Sequence, residues 1–174
     1  MALELLFSDT VARPPRLQSF DYRGRHQYSL TFCTLDRRRV FVESIGVGAC
    51  LTIFLQQAST DGFEILVYCF MPDHVHLVIE GIQDSCNLQT FVARAKQLSG
   101  FEYAQRTAAG RLWQKGYFET VLRTDDAVQR AMRYVLENPV RAQMVREPLE
   151  YPYSGSGKYS KEQLKDLWSD RWHR

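Results

Sequence analysis

The segment FEILVYCFMPDHVHLVIE, residues 63–80, decides the fold. Residues 63–70 are strongly apolar and rich in aromatic and β-branched side chains, the composition of a strand. Met71, Pro72 and Asp73 turn this run directly into a second one, residues 74–80. Strands joined so tightly must be antiparallel, because a parallel pair needs a crossover of about a dozen residues. Side chains alternate along a strand, so Val75, Leu77 and Ile79 share a core-facing side while His74 and His76 share the other. Two imidazoles on successive same-face positions are close enough to grip one ion. A pair of partly buried structural histidines is the simpler alternative, and the motif alone does not choose.

Outward from this hairpin, residues 26–34 (HQYSLTFCT) read as a strand with Arg37, Arg38 and Arg39 in its exit loop. Residues 45–59 read as a buried helix, with Val47, Leu51, Phe54 and Leu55 at helical spacing. On the other side a long helix is expected over 87–107. Leu88, Phe91, Val92, Ala95 and Leu98 mark its buried side, Arg94 and Lys96 lie outside it, and Gly110 ends the segment. A strand-like piece, residues 117–123, leads to a helix starting at Asp125 that Pro139 is expected to close. The order βαββαβ implies an α+β fold, a ferredoxin-like antiparallel sheet with helices packed on one face, plus a further helix carrying Tyr134. Residues 26–147 form the expected catalytic domain. Residues 1–25, with Pro14, Pro15, Arg13, Arg16, Arg23 and Arg25, form an N-terminal arm expected to order on a partner. Residues 148–174 are expected to be a turn-rich linker (YPYSGSGKYS) and a short amphipathic helix with Leu164, Leu167, Trp168 and Trp172, packed on its own core. The Gly-Ser-Gly-Lys at 155–158 lacks the remaining phosphate-loop residues, having Pro152 and Tyr159 where Gly and Ser or Thr are required.

Composition sets the limits. At 174 residues, 45% hydrophobic and 24% charged, the chain suits one folded domain. A net charge of +2 is too small to identify a nucleic-acid partner, so that case rests on local clusters. The longest uncharged stretch, residues 44–60, is shorter and more polar than a membrane-spanning helix requires, and Glu4 and Asp9 oppose a signal peptide. Cys33, Cys50, Cys69 and Cys86 form no C-x-x-C pair and are expected to be buried thiols in a reducing compartment. The expected location is cytoplasmic, nucleoid-associated when bound to DNA, without membrane association.

On the helix after Asp125, Val128, Met132, Val135 and Leu136 form one apolar stripe at about 100° per residue. Tyr134 lies off the stripe, with Asn138 one turn further along and Arg130 and Arg141 in the same sector. An aromatic hydroxyl, an amide and two guanidinium groups thus share a surface that core packing does not need. A solvated helix face with one exposed tyrosine is the plain alternative.

Together FMPDHVHLVIE (70–80), LWQKGYFETVLRTDD (112–126) and YVLENPVRAQMV (134–145) resemble the transposases that use one tyrosine and a His-hydrophobic-His (HUH) motif, in particular the REP-associated tyrosine transposases. The likeness runs from about residue 28 to residue 153. It implies a transposase or strand transferase that cleaves and rejoins single-stranded or hairpin DNA, REP-like palindromes among them, through a 5′-phosphotyrosine with a divalent metal. It makes Tyr134 the nucleophile and His74, His76 and Asn138 the metal ligands. Asn138 stands where many members have Gln, and the shorter side chain repositions the third ligand. Tyr117 is a rival nucleophile within the aromatic cluster 113–118, but it has no amide one helical turn on. The aromatics beside Lys115 suit base stacking instead.

Mixed nitrogen and oxygen ligation allows Mg or Mn, with Mn favoured by imidazole; zinc ranks third because no closed four-ligand set is visible. A tyrosine hydroxyl, with an ordinary pKa near 10, must lose its proton to attack, and the sequence singles out no base. For DNA grip the candidates are Arg37, Arg38, Arg39, Lys115 and Arg123, with Arg130 and Arg141 near the chemistry. They predict collectively salt-sensitive binding. The protein is expected to be a monomer or homodimer. Two alternatives stay open: a metal-dependent phosphodiesterase using water, with Tyr134 incidental, and a non-catalytic nucleic-acid-binding module.

Overall fold

The alternating and apolar runs form strands β1 (Gln27–Cys33), β2 (Phe63–Met71), β3 (His74–Gly81) and β4 (Phe118–Leu122). Between them lie helices α1 (Ser44–Thr60) and α2 (Leu88–Thr107), and after them α3 (Asp125–Arg141). A two-residue strand β5 (Ser154–Gly155) and helix α4 (Lys161–Ser169) follow. This computed structural model describes residues 20–169, and side chains as far as Asp166. Most of the expected arm, and the side chains of Leu167, Trp168 and Trp172, lie outside the described residues.

The sheet is antiparallel throughout, in the order β4-β1-β3-β2-β5, so the ferredoxin-like expectation holds. β3 is central and buried on both faces. On one face Val75, Leu77 and Ile79 join Tyr28, Leu30 and Phe32 of β1 and the buried stripes of α1 and α2 in a single core. Phe54 of α1 stacks on Phe70 and Trp113 within it. On the other face α3 lays Val128, Met132, Val135 and Leu136 against Leu66, Val67, Cys69 and Val78. The two crossover helices therefore share one face, and the tyrosine helix takes the opposite one, which the histidines also occupy.

A bulge in β2 makes both cores possible. The register with β3 shifts between Ile65 and Val67, so Phe63 and Ile65 point into one core while Leu66 and Val67 both point into the other. An extra residue in one strand re-phases the alternation in this way.

Several boundaries differ from the sequence expectation, each for a physical reason. Asn87 caps α2, its side chain accepting from the Thr90 amide. Ser99, not Leu98, takes the buried position of α2, because the Trp113 indole needs an acceptor and donates to the Ser99 hydroxyl at 2.9 Å. Leu98 is exposed, and so is Leu55 of α1. Pro139 does not close α3, which continues to Arg141. The Val135 carbonyl that loses its amide partner to proline instead accepts from the Asn138 side-chain amide at 3.4 Å. The segment expected to be only a linker adds β5 to the open edge of β2, and the Gly157 amide donates to Ile65. A Cβ at Gly155 would lie 2.7 Å from the Tyr68 hydroxyl, so any larger residue there would have to push that ring aside. All four cysteines are free and buried. No described helix is long and apolar enough to cross a membrane.

The face shared by α1 and α2 carries the larger aromatic core, so its truncation should be costly. Phe54→Ala is expected to destabilise by about 3–5 kcal/mol, and Phe101→Ser, at a site 63% exposed, by no more than about 0.5. Urea denaturation of the two variants against the parent measures both.

Candidate active site

β3 enters the sheet with His74 and His76 on the α3 side, 8% and 4% exposed. Their Nε2 atoms converge to 3.0 Å, and each ring is held from its far side. The Asp73 carboxylate meets His74 Nδ1 at 2.7 Å, and the Thr31 hydroxyl meets His76 Nδ1 at 2.8 Å. Asp73 is in turn fixed by Arg37, whose Nε lies 2.8 Å from the other carboxylate oxygen. An anionic acceptor holds a proton on His74 Nδ1 and fixes the ring with Nε2 turned toward His76. Thr31, which can donate or accept, serves either tautomer of His76.

Charge and burial act together here. Burial alone would raise the Asp73 carboxyl, but the hydrogen bond from His74 and the charges of His74 and Arg37 outweigh it and hold it below the usual carboxylate range. Burial pushes His76 well below the ordinary imidazole range, reinforced by the charges of His74, Arg141 and Arg37. His76 is therefore a neutral donor at physiological pH, the form in which imidazole ligates a metal.

α3 brings its polar stripe over this pair. The Tyr134 ring lies edge-on to His76 with centroids 6.1 Å apart. The Arg141 guanidinium covers the other part of that ring at 3.9 Å and donates to the Tyr134 carbonyl at 2.9 Å. Arg141 also pairs with Glu137. Asn138, one turn after Tyr134, donates from Nδ2 to the Tyr134 and Val135 carbonyls at 3.1 and 3.4 Å. Only the amide nitrogen can make those contacts, so Oδ1 is the end left to accept.

The donor set fits one divalent ion in part. The two Nε2 atoms stand at 3.0 Å, a hydrogen-bond separation, and aim at one another, so a divalent ion held by both would take the place of that contact. Among the described residues no group of three His, Cys, Asp or Glu side chains could hold a metal. A third protein donor would then be an amide, hydroxyl or backbone carbonyl oxygen.

The remaining candidates divide. Arg39, Lys115 and Arg123 are exposed. Arg130 is exposed but paired with Asp126. Arg37 is committed to Asp73 and the Cys33 sulfur, and Arg38 to the carbonyls of Leu35 and Arg111, so both build the site's frame. Tyr117 is buried on the opposite face of the sheet, edge-on to Phe32, which removes it as a nucleophile facing the histidines. Trp113 and Tyr117 are core members, 5% and 7% exposed, so neither ring has a face open to a base. Sequence reasoning passed over Thr31 and Asp73. Asp73 adjoins His74 in the chain, but Thr31 meets His76 only through the β1–β3 register.

The antiparallel β4-β1-β3-β2 sheet thus carries two helices on one face and the tyrosine-bearing helix on the other, over the histidine pair. The model of the family "Transposase IS200 like" matches residues 23–138, and the chain belongs to that family. It is similar to a Haemophilus influenzae protein named "Putative REP-associated tyrosine transposase", 22% identical over 162 residues, covering 87% of this chain and 90% of that one. A second, uncharacterized protein of the same organism is 26% identical over 164 residues, covering 74% and 88%. The fold also matches the solved REP-associated tyrosine transposase bound to a REP hairpin, with a TM-score of 0.67 at 16% identity over 81% of this chain and 82% of that one.

The lowered His76 has a consequence for stability. Its unfolded form gains a proton near pH 6.5 while its folded form resists doing so, so acid favours unfolding and the stability present above about pH 6.5 declines as pH falls below it. The urea midpoint is expected to drop between about pH 7 and pH 5, and His76→Gln to flatten that slope.

Proposed function

We propose that the chain is a DNA strand transferase acting on hairpin or single-stranded DNA, with Tyr134 as its nucleophile. The observation that carries this reading is the meeting of Tyr134 with the paired histidines on one face of the sheet. Family membership supports DNA as substrate, and the hairpin held by the structural relative supports the hairpin form.

His74 and His76 would hold a divalent ion, with the Asn138 amide oxygen as the third protein donor. That ion, Mg²⁺ or Mn²⁺, would withdraw charge from the scissile phosphate and orient it. Tyr134 Oη forms a bond to phosphorus as the bond from phosphorus to the 3′ oxygen breaks. The phenol gives up its proton and the leaving 3′ oxygen gains one, giving a 5′-phosphotyrosine and a free 3′-hydroxyl. The phosphodiester energy is kept in the tyrosyl ester, so a 3′-hydroxyl can reverse the step and rejoin a strand without ATP. Arg141 fixes the phenol ring and puts a positive charge beside the approaching phosphate. Asp73 and Thr31 hold the imidazoles in register.

Incubation with Mn²⁺ and an end-labelled DNA hairpin bearing single-stranded flanks is expected to give a denaturation-resistant protein–DNA adduct, absent in Tyr134→Phe. Cleavage that persists in Tyr134→Phe would point instead to hydrolysis by water, and tight binding with no cleavage under any metal to a binding module. Asp73→Ala is expected to weaken Mn²⁺ binding about 10–100-fold, read by electron paramagnetic resonance.

A further inference from the structure

The outer side of the α1–α2 layer is apolar where a solvent face is normally charged. α1 has no charged residue in its 17 positions, in a chain that is 24% charged. The side it turns away from the sheet carries Ile45, Gly48, Thr52, Leu55, Gln56 and Ser59, mostly three or four residues apart. Val42, Ile45 and Phe101 are each more than half exposed, and Leu98 nearly so. The two helices run antiparallel. Arg94 Nη1 meets Asp61 Oδ1 at 2.7 Å, joining the start of α2 to the end of α1. At the other end a Cβ on Gly46 would touch the Tyr103 ring at 3.7 Å. Ile45 and Phe101 therefore stand at the same end of the layer. Single exposed hydrophobic residues are ordinary, but a group gathered in one place marks a contact surface.

Charge, shape and size each fit this surface to a copy of itself. The charges α2 carries on the side of Leu98 are already neutralised, Arg94 by Asp61 and Arg106 by Glu102 at 2.6 Å. With a net charge of only +2 on the chain, like meets like here with little repulsion. A foreign partner is ordinarily selected by complementary charge, which this surface does not offer. In shape, Phe101 is a knob, and Gly48 leaves a notch in which an added Cβ would meet nothing within 4 Å. A two-fold contact requires a feature and its complement on one surface, and both lie at the Ile45 end. In size, a helix ~25 Å long beside another ~10 Å away covers roughly 500 Å². Two such faces together bury about 1,000 Å², the range of weak, concentration-dependent pairing and not of an obligate dimer.

We propose that the α1–α2 face pairs with the same face of a second copy of this chain, each Phe101 seating against Gly48 and Ile45 of the other. α3 and the histidine pair lie on the opposite side of the sheet. The paired copies therefore turn their tyrosine helices outward and away from each other, and each site is complete within one copy.

Sedimentation equilibrium of the full chain from about 1 to 300 µM tests this. The average mass is expected to climb from one chain toward two, with a dissociation constant on the order of 10–100 µM. Phe101→Asp should weaken pairing at least about 30-fold, the effect of losing a central aromatic anchor. Gly48→Lys fills the notch and should weaken it as strongly. Lysine is the better helix former and its Cβ meets nothing in the single chain, so the urea midpoint of this variant should not fall. A wild type that stays a single chain across the range would overturn the proposal, as would a dimer that persists in both folded variants. Growth past two copies would also overturn it, because a closed two-fold contact cannot extend.

Discussion

The alternation of β3 is the constraint on which the rest of the molecule depends. A strand at the centre of a sheet must present something to both faces. Here Val75, Leu77 and Ile79 fill the aromatic core beneath α1 and α2, while His74 and His76 face α3. Burying two imidazoles on the second face is tolerable because each Nδ1 has a partner, and because His76 is held neutral. A one-residue slip of β3 would reverse the faces, placing the imidazoles in the aromatic core and three aliphatic side chains beneath Tyr134. The many aromatic contacts of the first core therefore also fix the position of the histidine pair.

The same constraint explains the division of labour among the arginines. Arg37 stands near the sheet end where a DNA contact would be expected, yet its charge is used on Asp73, which holds His74. Arg38 is tied to backbone carbonyls that join the β1 exit to the segment after α2. Of the triple-arginine run, Arg38 and Arg39 are exposed, while Arg37 is half-buried against Asp73. Runs of like charge read in a sequence as one patch, but their members diverge once the chain closes, Arg37 meeting a carboxylate and Arg38 backbone carbonyls.

Most of the architecture was legible in the chain. The tight turn at 71–73 forced the antiparallel hairpin, and the apolar stripe of α3 predicted which of its residues would be buried. What escaped depended on long-range geometry. Ser99 displaced Leu98 because of an indole fourteen residues away. The edge strand β5 is two residues long, too short for any periodicity, and exists because β2 has free backbone groups. Likewise the Tyr134–Asn138–Arg141 stripe was visible as a polar helix face, but which face of the sheet it would cover was not. The contact of Thr31 with His76 follows from the β1–β3 register and leaves no trace in local sequence.

Pro139 gives the neighbouring side chain a polarity. A carboxamide is nearly symmetric in shape, and on an unbroken helix it could turn either end outward. By stranding the Val135 carbonyl one turn back, the proline ring adds a second acceptor beside the Tyr134 carbonyl, and the Asn138 NH₂ answers both, so the group sits like a small fixed dipole with its negative end turned from the backbone. A defect in the backbone ladder thus contributes to the sign of the potential that α3 offers to whatever approaches its polar side.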